Sequence, residues 1–182
     1  MKLTLESDYN QRMQPAILDK PEILLVGMSF YGDPFDTSDV WTEENQIGRT
    51  WKRLNTYLAQ HSQAILHRTA ADVFYEVHVY GEETYTQGRF EVFSGVPVER
   101  LEAVPVELLV KVLPATTYAV FTLEGEAILS DWVMHIDRWL SEAGYERSFP
   151  YSVQYYDARF KGLDQVSDSI LDVYMPVRAA AA

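Results

Sequence analysis

The sequence predicts an α+β fold. Duplicated β-α-β-β units form one antiparallel sheet with two helices on one face, related by a pseudo-twofold axis. Three observations carry this reading. The order of elements runs β-α-β-β twice along the chain. Each pass contains one stretch with apolar residues at helical spacing. Each closes on a similar phrase, Phe93-Ser94-Gly95-Val96-Pro97-Val98 in the first and Val173-Tyr174-Met175-Pro176-Val177 in the second. One unit alone cannot bury a sheet face and a helix stripe, whereas two side by side can. The 182 residues are therefore read as a single domain, 1–182, with pseudo-repeats at about 21–98 and 107–177.

The first twenty residues show no clear period and hold Pro15, with Pro21 just beyond. A strand then spans Glu22 to Phe30, closed by the turn-forming Tyr31-Gly32-Asp33-Pro34. Ile47, Trp51, Leu54 and Leu58 mark one face of a helix from about Glu43 to His61. Strands follow at Val73–Tyr80 and Arg89–Val98, with a turn at Gly81-Glu82-Glu83-Thr84 and Gln87-Gly88. A linker containing Pro105 opens the second round. One long strand starts at Leu108, bends near Pro114, continues through Tyr118 to Leu123 and ends at Gly125. Ile128, Trp132, Ile136, Trp139 and Leu140 define the second helix, and Gly144 stands where a left-handed C-terminal cap is expected. Strands at Tyr151–Phe160 and Ile170–Val177 complete the pattern, and Arg178 to Ala182 read as a frayed tail.

Composition narrows the function classes. Lys and Arg number 15 against 27 Asp and Glu, a formal charge of −12, which argues against electrostatic attachment to nucleic acid or an anionic membrane. The absence of cysteine excludes disulfides, thiolate metal sites and cysteine nucleophiles, and suits a reducing cytoplasm. No apolar run reaches the ~20 residues that span a bilayer. The start, MKLTLESDYNQR, lacks the apolar core of a secretory signal. Twelve Tyr, eight Phe and four Trp make 13% of the chain aromatic, the composition of an aromatic core or of a pocket for flat ligands.

The pattern resembles the GyrI-like small-molecule-binding domain, also called the AraC-type or bacterial transcription activator effector-binding domain. The residues that carry it are Pro21 to Gly27, Ile47 to Trp51, Tyr118-Ala119-Val120-Phe121 with Gly125, Trp139 to Tyr145, Tyr156 to Phe160, and Met175-Pro176-Val177. The resemblance implies a pocket between sheet and helices on the axis relating the halves. Relatives serve as effector domains fused to helix-turn-helix modules, as free-standing proteins, and as an inhibitor of DNA gyrase. Some free-standing relatives hydrolyse cyclopropane-containing alkylating compounds. No basic helix-turn-helix segment flanks the repeat, so the chain looks like the free-standing kind, without direct nucleic acid binding.

In drug-sensing relatives a buried glutamate on the penultimate strand, two positions before a Tyr, attracts cationic aromatic ligands. Matching Tyr156-Asp157 to that motif puts Gln154 in the acid's place. An amide offers neutral donors and acceptors instead, so the guest is neutral or mixed, or another acid supplies the charge. The candidates are Glu76, Glu91 and Glu124. Strand alternation sets Phe74, Glu76, His78 and Tyr80 on one face, and Glu124 follows an apolar run. A carboxylic acid in such surroundings could also act as a general acid or base, which makes Glu76 and Glu124 the candidate catalytic residues. Trp51 resembles the family's helix-one tryptophan. Trp51, Tyr75, Tyr118, Trp139, Gln154, Tyr156 and Tyr174 are the candidate ligand contacts, against the plain alternative that each packs in the core or sheet. Trp132 is read as core. His61, His67, His78 and His135 lack metal-binding spacing, and no G-x-S-x-G, P-loop or G-x-G-x-x-G occurs. Asp33, Asp36, Asp39, Glu43 and Glu44 read as a solvated loop leading into a helix start.

The leading expectation is a cytoplasmic, cofactor-free and metal-free module that binds an amphipathic aromatic molecule for sensing or sequestration. One alternative is a cofactor-free hydrolase opening strained rings. Another is a protein inhibitor of a DNA-handling enzyme such as gyrase. A protein partner and either a monomer or a dimer remain open at this point.

Overall fold

The computed structural model describes residues 14–36 and 44–180. The predicted helix start at Glu43, the acidic residue Asp39, the N-terminal stretch 1–13 and the last two alanines lie outside the described residues. Nine strands form one antiparallel sheet: β1 (Ala16–Lys20), β2 (Ile23–Gly32), β3 (Phe74–Val79), β4 (Phe90–Val98), β5 (Leu109–Leu113), β6 (Thr116–Glu124), β7 (Tyr145–Arg147), β8 (Tyr151–Tyr156) and β9 (Ile170–Ala179). Among the described residues the helices are α1 (Gln46–Gln60), the short α2 (Glu82–Gln87) and α3 (Trp132–Ala143), with 3-10 turns at Gly125–Leu129 and Leu163–Asp168. Asn45 caps α1 by accepting the Gly48 N–H at 2.9 Å. Gly144 ends α3 with φ of 70°, the left-handed cap expected of it.

The strand order is β1-β6-β9-β8-β3-β4-β2-β5, with β7 paired to β9. Its centre, β6-β9-β8-β3-β4-β2, reads the same outward from the β3–β8 pair, so the two units meet there across the predicted twofold axis. Pairing register shows which residues correspond. Tyr75 pairs with Gly95, two positions before Pro97, and Val153 pairs with Tyr174, two positions before Pro176. Tyr75 and Val153 are therefore equivalent, and one residue on, so are Glu76 and Gln154. These two also face each other directly in the β3–β8 register.

The outer strands differ from the sequence reading. The single long strand expected from Leu108 to Leu123 is two, because Pro114 removes an N–H and ends the ladder. β5 pairs with β2 at one edge of the sheet, while β6 pairs with β1 and β9 toward the other. Only Pro114 and Ala115 separate β5 from β6, and only Pro21 and Glu22 separate β1 from β2. Three Cα steps reach at most about 11 Å, so the sheet must curl until its two edges approach. Each unit thereby passes its leading strand to the far side of the other. β1 fell within the stretch without clear period, β7 was not foreseen, and the expected turn before Arg89 contains α2. The last strand runs to Ala179, where β7 holds it through Tyr145↔Ala179 and Glu146↔Arg178, so Arg178 and Ala179 are not a frayed tail.

Two apolar layers result. On the helix-bearing face, Phe121, Val173 and Met175 pack with Ile136 and Leu140 of α3, while Val26, Met28 and Val96 pack with Leu54 of α1. The curled opposite face encloses Leu25, Val77, Phe93 and Leu113 together with Tyr75, Tyr118, Tyr151 and Tyr174.

Candidate functional site

Between α1 and α3, above the β3–β8 pair, lies a cavity of about 1100 Å³. Its floor comes from alternate residues of the two central strands, Phe74, Glu76 and His78 of β3 and Gln154 and Tyr156 of β8, with Tyr80 just past β3. Side chains two apart on a strand share a face, so this row follows from the period-two pattern of the sequence. Trp51 descends from α1, Trp132 stands at the start of α3, and Phe90 and Phe160 close the sides.

Glu76 is the chemical centre. It is buried, with 1% exposure, and both of its oxygens are occupied. The Trp51 indole N–H donates to Oε2. The His78 ring, through Nε2, lies 2.7 Å from Oε1. The Gln154 amide donates to the same oxygen at 3.0 Å. The Tyr156 hydroxyl in turn donates to the Gln154 carbonyl at 3.0 Å, which fixes the amide with its nitrogen toward Glu76. An ionised carboxylate is an acceptor-only group, and this ring of partners suits one. Burial raises the Tyr156 phenol well above its ordinary range, and the Glu76 charge adds to the effect. Burial likewise raises the Tyr80 phenol, although its contact with Ser152 and the nearby Arg147 oppose the shift. Both therefore stay neutral at physiological pH.

Aromatic rings surround this acid. Trp51 meets Tyr156 edge-on at 5.1 Å between centroids and Phe74 at 5.8 Å, and Tyr156 meets Phe160 edge-on at 4.9 Å. A second group joins His78, Tyr80 and Phe90, with Phe90 at 5.1 Å from His78 and 5.7 Å from Tyr80. Ring faces beside a buried carboxylate form an environment that attracts an organic cation.

Of the candidate ligand contacts and acids read from sequence, Trp51, Glu76, Gln154 and Tyr156 come together here, and the other candidates do not line the cavity. Trp132, read as core, is buried in the α3 cluster and also borders the cavity. Tyr75 neighbours Glu76 and so points to the opposite face. Tyr118 and Tyr174 are turned the same way by strand parity, since Ala119 and Phe121 of β6 and Val173 and Met175 of β9 face the helices. Tyr118 is fully buried, its hydroxyl 2.7 Å from that of Tyr151. Tyr174 stacks on Tyr155 at 5.4 Å. Trp139 lies on the flank of α3, stacked on Tyr145 at 5.5 Å and edge-on to Phe121. Glu124 is exposed where β6 meets the first 3-10 turn. Glu91 is also turned away, holding the Lys111 ammonium at 2.6 Å and the Ser29 hydroxyl at 2.8 Å.

Among the described residues no group of three or more His, Asp or Glu side chains stands close enough to hold a metal ion, and no helix is long and apolar enough to cross a membrane. The sequence reading did not single out Tyr80, Phe90, Phe160 or Arg147 as ligand contacts. The signal for Tyr80 was present, because it shares the Glu76 row. Arg147 carried none, since β7 was not visible.

The family of integron-associated effector binding proteins designated Cass2 matches residues 16–177. The transcriptional regulator BrlR of Pseudomonas aeruginosa is 31% identical over 175 residues, covering 92% of this chain and 56% of BrlR, so the chain spans little more than half of that regulator's length. Solved structures share the fold, two of them as follows. An EcmrR–DNA complex matches with a TM-score of 0.67 at 13% identity, over 98% of this chain and 64% of EcmrR. SAV2435 bound to tetraphenylphosphonium matches with a TM-score of 0.65 at 13% identity, over 91% of this chain and 94% of SAV2435.

Proposed function

The chain belongs to the Cass2 family of integron-associated effector binding proteins, and from that premise we propose that it binds an amphipathic aromatic small molecule carrying a positive charge, for sensing or sequestration. The observation that supports this most directly is Glu76, a buried carboxylate in an aromatic-walled cavity of about 1100 Å³. Such a charge is costly to bury, and a cationic guest places a counter-charge beside it. The family resemblance puts such an acid at the position of Gln154, and Glu76 faces that position from the partner strand, at the pseudosymmetric place. SAV2435, which shares the fold, holds the lipophilic cation tetraphenylphosphonium.

Binding is favoured over ring-opening hydrolysis by the state of Glu76. Both of its oxygens already accept hydrogen bonds from protein groups, and a general base needs an open position toward water or substrate. The test is a titration of tryptophan fluorescence with tetraphenylphosphonium. We expect saturable quenching in the native protein and at least about tenfold weaker binding in Glu76→Gln, from the loss of a buried charge partner. Equal affinity in the two proteins would remove this reading.

A further inference from the structure

We infer that the cavity is built for an amphoteric guest, an aromatic cation that also carries a carboxylate, and that Arg147 is the residue receiving the carboxylate. This rests on the proposed function and extends it to the far side of the site. Arg147 comes from β7 and lines the same cavity as Glu76. Its guanidinium lies over the Tyr80 ring, 5.9 Å from the centroid. Nη2 donates to Asp137 of α3 at 2.6 Å. A guanidinium has five N–H donors in a planar fork, and among the described residues Asp137 is its ion-pair partner. Nε and Nη1 are left over.

The cavity is lined by the acids Asp72, Glu76, Asp137 and Asp157 and the cations Lys52 and Arg147; Lys52 is exposed, whereas Arg147 is held over an aromatic ring of the floor. The half-buried Tyr80 lies between the two poles: it shares the floor row with Glu76, and the Arg147–Asp137 pair stands over its ring, so its phenol feels the charges of Arg147, Glu76 and Asp137. The floor and Trp51 side offers an acid and ring faces, while the Tyr80 side offers a cation. Asp137, whose side chain is 53% exposed, pairs with the guanidinium through a contact that water screens, and it holds the guanidinium above Tyr80. A ligand carboxylate entering the cavity would meet a guanidinium held over the Tyr80 ring with N–H donors beyond the one given to Asp137. The volume of about 1100 Å³ exceeds what a small monocation fills and leaves room for a guest that reaches both poles.

The probes are rhodamine B, a zwitterion at neutral pH, and its ethyl ester, the same aromatic cation without the carboxylate charge. Affinities are measured by fluorescence anisotropy for the native chain, Arg147→Met and Asp137→Asn, with thermal melting as the check on folding. We expect Arg147→Met to lower the rhodamine B to ester affinity ratio by about tenfold. Asp137→Asn, which releases the guanidinium from its partner, should raise that ratio, and it keeps the test decisive if Arg147→Met does not fold. A ratio unchanged in the folded variants overturns the inference. Failure of the ester itself to bind the native protein, or binding of the ester that is indifferent to Glu76→Gln, instead overturns the proposed function.

Discussion

Glu76 and Gln154 face each other across the central β3–β8 pair, joined by a 3.0 Å hydrogen bond, and they are also the same position in the two halves of the duplicated fold. Duplication has thus placed an acid and its neutral amide counterpart side by side on the pseudo-twofold axis, with one negative charge in a site of near-symmetric shape.

The equivalence predicts that the acid can change sides. Glu76→Gln combined with Gln154→Glu should restore most of the cation affinity lost in Glu76→Gln alone, to within about threefold to tenfold of the native value, since a factor of ten is only about 1.4 kcal/mol. Calorimetric titration with tetraphenylphosphonium decides the matter. A double variant no better than the single one shows that the donors from Trp51 and His78 make position 76 indispensable.

Trp51→Phe keeps an aromatic ring on α1 but removes the indole N–H that Glu76 accepts. Leaving a buried carboxylate one donor short should cost about 1–3 kcal/mol of folding stability. In a cycle with Glu76→Gln the two changes should couple by about 1 kcal/mol or more. Denaturant unfolding measures both quantities, and strict additivity would mean that Trp51 acts through packing alone.

Tyr118→Phe removes the hydroxyl contact with Tyr151 on the enclosed face. The expected loss is about 1 kcal/mol of stability with tetraphenylphosphonium affinity unchanged, because Tyr118 lies on the side of the sheet away from the cavity. A change in affinity without a change in stability would place this tyrosine near the ligand after all.

The same tyrosine layer sets an alkaline limit. Burial, with Tyr155 adding to it, pushes the Tyr75 phenol up to about 12, and burial also raises Tyr118 and Tyr174. A folded-state pKa above the unfolded value of about 10 gives stability that is complete below pH ~10. It is lost as the pH rises through the folded value. Unfolding followed by circular dichroism should therefore coincide above pH ~10 with the part of the tyrosinate absorbance that Tyr75→Phe, Tyr118→Phe and Tyr174→Phe remove, the exposed Tyr31 and Tyr85 contributing outside it. That part appearing at lower pH in an intact fold would contradict the burial of this layer.

The fold was largely legible because its signals are local. The apolar stripe of α1, the αL glycine at 144 and the alternation of Phe74, Glu76, His78 and Tyr80 can each be read within a few residues. The same alternation delivered Glu76 to the cavity and should have separated it from Tyr75. For Tyr118 and Tyr174 the strand was visible but its facing was not, since apolar residues fill both sides of a sheet buried on two faces. The exchange of β1 and β5 depends on how the edges close, which no short window records. Arg147 stayed hidden for a related reason. Its strand is three residues long and exists through pairing with the end of β9.

The two-residue connectors after β1 and β5 set a lower limit on length. Each half is joined to the other by a crossing with no slack, so shortening either connector would pull the paired edge strands out of place. The longer surface segments around α2 and between β8 and β9 contribute Tyr85 and Leu163 to the cavity's lining, and a change of length in such loops costs little. The mouth of the site can thus be reshaped for another guest while the paired strands beneath keep their places.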